Sequence, residues 1–258
     1  MSKKEMLAQF KEKLNNGGVV GFFSKTAEPA FIEAMGYAGG DFVIIDLEHG
    51  PNTIQTAQNL IRAAEVSGIF PIIRVKEENN SVMGEALDIG ALGIQVPQVC
   101  SKEDAENVRK HTKFAPLGER GVCRFVRAAN YSAKDRFEYF KEANEAVTVL
   151  QIEGKEGIEN LSEILETGCA DVIFIGPYDL SQSLGIPGDI DNPLVEKEML
   201  KIVEICKDKG VAVGTFTDTI KNARKWRKLG VKYIAHSVDV GIFCDAARSI
   251  VNDVKTEE

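Results

Sequence analysis

Positive charge is what this chain has least of. Its 31 Lys and Arg face 39 Asp and Glu, a formal net charge of −8. That balance argues against nucleic-acid and anionic-membrane partners, which both require basic patches. It still permits small anionic substrates, which need only local positive charge. No apolar run approaches the roughly 18 residues that a membrane helix needs. Met1-Ser2-Lys3-Lys4-Glu5 carries charge with no apolar stretch behind it, so no secretory signal is visible. Cysteine is sparse: Cys100, Cys123, Cys169, Cys206 and Cys244 are odd in number, widely spaced and without a CxxC or other zinc spacing. They read as reduced thiols, mostly buried as small hydrophobes, and the expected location is the cytoplasm. Low-complexity tracts are missing too, and the acidic end at 255–258 is expected to fray.

What is present is alternation. Eight short apolar runs, rich in β-branched residues and bounded by Gly, Pro or Asp, fall at 18–24, 42–47, 71–75, 93–99, 147–152, 171–175, 211–217 and 233–238. Runs apolar on both faces are the signature of strands in a covered parallel sheet. Helical patterns follow each of them, at 29–37, 53–67, 81–89, 102–111, 157–167, 193–209, 218–229 and 242–254. The sixth helix is the clearest. Asp191 or Asn192 can cap it, Pro193 suits its first turn, and Gly210 sits where the chain must leave it. Eight strand–helix units in 258 residues predict one (β/α)₈ TIM barrel domain over 1–258. An open doubly wound sheet is the alternative, weakened because no G-x-G-x-x-G follows the first strand. Three segments lie outside the repeat. An amphipathic stretch at 4–14 (Met6, Phe10 and Leu14 on one face) is placed to plug the barrel bottom. Residues 114–144 form a long insertion rich in Arg and aromatics, and 183–192 is a Gly/Pro-containing loop. Long connections at the active face are usually functional rather than structural.

In such a barrel, chemistry sits at the carboxyl ends of the strands. The polar residues expected there are Asp46, Glu48 and His49, Arg74, Gln98, Gln151 and Glu153, Asp179, and Ser237 and Asp239. Glu153 and Asp179 leave adjacent strands and would repel unless a cation or shared proton separated them. Few carboxylates, with water and substrate completing the shell, is how Mg²⁺ is held, and Mn²⁺ or Co²⁺ accepts the same donors. The alternative is that Asp179 caps a short turn. His49 follows two acids, either of which can fix its tautomer for proton transfer. Of the other histidines, His111 reads as solvated and His236 as a hydrogen-bonded structural residue. Arg74 closes an apolar run and needs an anionic partner, from substrate or from Asp46 or Glu48. In Gly176-Pro177-Tyr178-Asp179 the backbone N–H groups of Tyr178 and Asp179 can bind a carboxylate, while Pro177 has none to offer.

Taken together, Ile45-Asp46-Leu47-Glu48-His49-Gly50-Pro51-Asn52, Arg74, Arg120-Gly121-Val122, Gln151-Ile152-Glu153 and Phe174-Ile175-Gly176-Pro177-Tyr178-Asp179-Leu180-Ser181 resemble the HpcH/HpaI family of metal-dependent (class II) pyruvate aldolases. The likeness runs over nearly the whole chain, from about residue 18 to 251. It implies that Glu153 and Asp179 ligate a divalent metal and that His49, oriented by Asp46, handles protons. Arg74 and Gln151 would bind the pyruvate end, with the Gly176–Asp179 backbone, Pro177 and Tyr178 included, around its carboxylate. It also implies a hexamer of dimers that exchange the final helix. One departure stands out: after Arg120-Gly121-Val122 the family continues with small residues, whereas here the chain reads Cys123-Arg124-Phe125-Val126-Arg127. In the family this region helps form the acceptor pocket, so Arg124 and Arg127 suggest an anionic aldehyde, although Arg127 can equally pair within the insertion.

The function expected is reversible cleavage of a 4-hydroxy-2-oxoacid to pyruvate and an aldehyde, with Mg²⁺, Mn²⁺ or Co²⁺ as cofactor. A Schiff-base aldolase is less favoured, because Lys25 is the one obvious lysine after a strand and lies among Ser24, Thr26 and Glu28. A CoA-ester lyase of the citrate-lyase β type is a nearer alternative, although this sequence shows no added basic domain for the CoA phosphates. A non-catalytic oxoacid- or metal-binding barrel remains a third alternative.

Overall fold

Strands in the computed structural model, which describes residues 1–76 and 80–256, fall on all eight apolar runs. They are β1 (Val19–Ser24), β2 (Phe42–Asp46), β3 (Phe70–Arg74), β4 (Gly93–Val96), β5 (Val147–Ile152), β6 (Val172–Ile175), β7 (Ala212–Thr217) and β8 (Tyr233–Val238). Every neighbour is parallel, and β8 pairs back onto β1 to close the barrel. The helices are α1 (Lys3–Asn16), α2 (Pro29–Tyr37), α3 (Ile54–Ser67), α4 (Asn80–Asp88), α5 (Lys102–Thr112), α6 (Arg136–Ala143), α7 (Lys155–Glu159), α8 (Leu161–Glu166), α9 (Pro177–Ser183), α10 (Pro193–Lys209), α11 (Ile220–Lys228) and α12 (Asp239–Lys255). Glu257 and Glu258, half of the acidic end, lie outside the described residues.

Strand geometry, with alternate side chains on opposite faces, divides the apolar residues into two cores. Outward residues such as Val43, Ile45, Ile73, Leu150 and Ile152 pack under the helices. Inward residues such as Phe42, Ile44, Phe70, Ile72, Val149 and Phe174 fill the barrel. Helix α1 closes the bottom as the sequence predicts. Ser2 and Glu5 form a capping box, and Met6, Phe10 and Leu14 are buried. The Phe10 ring stacks on Phe70 at 4.0 Å and meets Phe42 edge-on at 6.2 Å. Those two residues open β2 and β3, so the helix sits on the amino-terminal rim.

Asn192 caps α10 and Gly210 ends it at φ +71°. The single helix expected at 157–167 is instead two, α7 and α8. The break falls at Asn160, whose amide donates to Cys100 O at 2.9 Å. The insertion runs from the end of α5 to the start of β5, which places it at the amino-terminal rim. It holds a 3₁₀ turn (Arg127–Ser132), α6 and a small core of Phe114, Ala129 and Tyr139.

Candidate active site

On β2 to β5 the inward face ends in a polar residue at the carboxyl rim. In β2, Phe42 and Ile44 lead to Asp46; in β3, Phe70 and Ile72 lead to Arg74. The register pairs Asp46 with Arg74. The buried guanidinium donates from Nε to Oδ1 at 2.9 Å and from Nη2 to Oδ2 at 2.7 Å, a bidentate charge-assisted pair. Its Nη1 lies 2.8 Å from Glu48 Oε2 but off the hydrogen-bonding direction, so that buried oxygen has an ion pair without a directed donor. The protein itself thus supplies the anions that Arg74 requires. Burial pushes Asp46 up, but the hydrogen bonds and charge of Arg74, helped by Lys25, hold it below the usual carboxylate range. Glu48 is raised by burial, which outweighs Arg74 and His49, with Asp46 and Asp179 adding to the rise.

His49 stands at the mouth with its side chain 59% exposed and Nε2 3.9 Å from Glu48 Oε2. Asp46 reaches it only through the backbone, accepting the His49 N–H at 3.3 Å. The expectation that Asp46 orients this ring is corrected: the Asp46 carboxylate is taken up by Arg74, and the acid facing the imidazole is Glu48.

On β5 the inward series is Val147, Val149, Gln151, and Glu153 continues it one step past the strand. Glu153 is buried. Its Oε1 accepts the Gln98 N–H at 2.9 Å and its Oε2 accepts Gln151 Nε2 at 2.5 Å. Gln151 in turn accepts from Gln95 Nε2 at 2.7 Å. Burial first, then the charges of Asp179 and Glu48, raise Glu153 to about 7 against the pull of the two donors. A Cβ at Gly176, the residue between β6 and α9, would stand 2.7 Å from Glu153 Oε2 and 3.3 Å from Gln151 Nε2, so a larger residue here would displace the Glu153 carboxylate. Asp179 lies exposed in the first turn of α9, where no side-chain cap forms, so the capping role is not the one it plays. Pro177 is the first helical residue and buried. The Tyr178 phenol points away to Asp218, donating to Oδ2 at 2.8 Å, and burial with that bond pushes it up to about 12. Its backbone N–H and that of Asp179 belong to the first turn, where a helix supplies no partner.

Among the described residues no three His, Cys, Asp or Glu are grouped to hold a metal. Glu153 and Asp179 would give a cation two carboxylate oxygens and leave water and substrate to complete its shell, the arrangement hard divalent ions accept. The support for such a site is electrostatic. A carboxylate raised to about 7 by burial first, and then by Asp179 and Glu48, marks a site where a divalent cation would stabilise the ionised form.

Three features differ from the sequence reading. Gln95, the inward residue of β4, joins the site although only Gln98 was expected; strand parity is the signal that could have found it. Asp239 follows β8 at the rim as expected, but its carboxylate is used within the fold: it is buried and accepts from Ser24 Oγ, the N–H groups of Lys25 and Thr26, Thr26 Oγ1 and the Val240 N–H, fastening the end of β1 to the start of α12. Arg124 does not reach the strand-end site within the chain. It donates to Ser132 O at 3.3 Å and Lys134 O at 3.1 Å. Its neighbours Arg120 and Arg127 are pinned to Asp88 and Glu65, near the carboxyl ends of α4 and α3, at the opposite rim. A cavity of about 560 Å³ opens there, between α1 and the insertion, away from the acid–base residues. His236, by contrast, is hydrogen-bonded as expected, Nδ1 to Thr217 Oγ1 at 3.1 Å.

A closed parallel barrel carrying a carboxylate-rich rim suited to a divalent cation defines the class of protein. The chain belongs to the HpcH/HpaI aldolase/citrate lyase family, whose model matches residues 19–246. It is 34% identical over 243 residues to the 2-keto-3-deoxy-L-rhamnonate aldolase of Salmonella gallinarum, covering 93% of this chain and 90% of that one. It is 32% identical over 237 residues to the 5-keto-4-deoxy-D-glucarate aldolase of Shigella boydii, with 92% and 91% covered. A crystal structure of an HpcH/HpaI aldolase/citrate lyase family protein from Burkholderia cenocepacia matches with a TM-score of 0.91 at 32% identity, over 96% of this chain and 99% of that one.

Proposed function

We propose that this protein is a metal-dependent aldolase that reversibly cleaves a 4-hydroxy-2-oxoacid to pyruvate and an aldehyde in the cytoplasm. The family and the aldolase relatives support the reaction class. The observation that carries the reading is Glu153: a buried carboxylate, steered by Gln98 and Gln151, raised to about 7 beside Asp179 and Glu48. Glu153 and Asp179 would hold Mg²⁺, Mn²⁺ or Co²⁺. Bound there, the cation would stabilise negative charge developing on the keto oxygen of the substrate by several kcal/mol. Arg74, held rigidly by Asp46 and Glu48, sets a positive charge at the same mouth and aids that stabilisation. Gln151 fixes Glu153 and faces the pyruvate end. The Tyr178 and Asp179 N–H groups hold the pyruvate carboxylate, Gly176 admits it without a Cβ, and Pro177 sets the turn. His49 moves the proton to or from the acceptor hydroxyl at Nε2, with the Glu48 carboxylate 3.9 Å from that nitrogen.

Pyruvate α-proton exchange in D₂O, followed by NMR, tests this. Exchange should appear on adding Mg²⁺, Mn²⁺ or Co²⁺ and vanish in Glu153→Ala and Asp179→Ala. Full exchange by metal-free Glu153→Ala would sink the reading, and pyruvate binding without any exchange would point to a binding module instead.

We also propose a homo-oligomer assembled through α12. Ile242, Phe243, Ile250, Val251 and Val254 are exposed on this helix, and Asp239 is its one buried residue.

A further inference from the structure

We infer that Lys25 selects the acceptor, and that the site takes aldehydes carrying a carboxylate of their own. This rests on the aldolase reading and deepens it. The strand order makes the argument. In a closed eight-stranded barrel β1 stands opposite β5. A substrate anchored at Glu153 and Asp179, at the ends of β5 and β6, must therefore extend its reacting carbon across the mouth toward β1 and β2. Lys25 leaves β1 there. Its Nζ lies 3.4 Å from Asp46 Oδ2 and 3.4 Å from His49 O, beside the residue that serves the acceptor hydroxyl.

The lysine is placed, but its charge is only loosely held. Buried Asp239 accepts its backbone N–H together with the flanking Ser24 and Thr26 donors, so the segment that carries it is fixed. Its side chain is 29% exposed. Asp46 already accepts two N–H groups from Arg74 at 2.9 and 2.7 Å and the backbone N–H groups of Glu48 and His49. A 3.4 Å contact is long for a charge-assisted bond, and an ammonium has three donors to give. Arg74, by contrast, is buried and engaged by two acids. Lys25 is thus a cation at this side of the mouth with donors to offer a substrate. The acceptor anion that the sequence assigns to Arg124 and Arg127 has its counter-charge here, at the opposite rim from both.

The test compares pyruvate addition to succinic semialdehyde and to butanal, which have the same carbon count and differ in the carboxylate. The wild type should prefer the semialdehyde. In Lys25→Met that preference in kcat/KM should fall about 10–100-fold, the worth of one hydrogen bond to a charged group. The loss should lie in the semialdehyde KM, and Lys25→Arg should restore most of the preference. Because Asp239 holds residue 25 through its N–H, both variants should fold, and a thermal melt checks this. An equal loss on both aldehydes, or an unchanged preference, overturns the inference while leaving metal-dependent pyruvate exchange intact. Absence of that exchange in the wild type overturns the aldolase reading, and this inference with it.

Discussion

A buried carboxylate with a pKa of about 7 makes proton and cation compete for the same oxygens, and Glu153 is such a group. Its folded pKa stands above the ordinary value of 4.5, so the folded metal-free protein binds this proton more tightly than the unfolded chain does. The stabilisation is fully present below pH 4.5 and is lost as pH rises through about 7. The loss should be on the order of 1–3 kcal/mol, or several degrees of Tm. Melting metal-free protein from pH 5 to 8 should show this decline, Glu153→Gln should flatten it, and Mn²⁺ should reverse it above pH 7. Asp46 and Asp239 do not obscure this window, since their lowered pKa values confine their effect to more acidic solution. Gly176→Ala should weaken metal binding about 10–100-fold, measured by Mn²⁺ titration, because its Cβ would press on Glu153 Oε2. His49→Ala should lose about 10²–10⁴-fold in kcat for aldol cleavage yet stay measurable, the usual span for one general acid–base group.

Strands and helices were legible in the sequence because strands covered on both faces must be apolar throughout. Runs such as FVIID in β2 and VTVLQI in β5 are buried along their full length. The amphipathic N-terminal stretch was legible for a similar reason, since Met6, Phe10 and Leu14 repeat every fourth residue. Phe10→Ala should cost about 3–5 kcal/mol, because the cavity would open against Phe42, Phe70 and Tyr233; a denaturant melt reads it. The split between α7 and α8 was not legible, because Asn160 leaves the helical course to bond with a carbonyl about 60 residues away in sequence. A partner that remote leaves no local mark.

Closing eight strands into a ring is what turns scattered residues into a site. Exposed Phe243 and Ile250 on α12 lie outside that ring. Phe243→Glu with Ile250→Glu should convert the proposed oligomer to monomers, read by light scattering. The sequence by itself determined the eight strand–helix units, the plug at the base and the acids at the strand ends, because each depends on local periodicity or on position along a strand. Tertiary structure alone decided the partnerships. It gave Asp46 to Arg74 rather than to the His49 ring and turned Asp239 into the clasp of β1. It also carried Arg124 and Arg127 to the far rim and brought Lys25 to the mouth. The reason is that a side chain's charge is written in the sequence, whereas the charge it meets is set by register and barrel closure, which join residues that no local pattern connects.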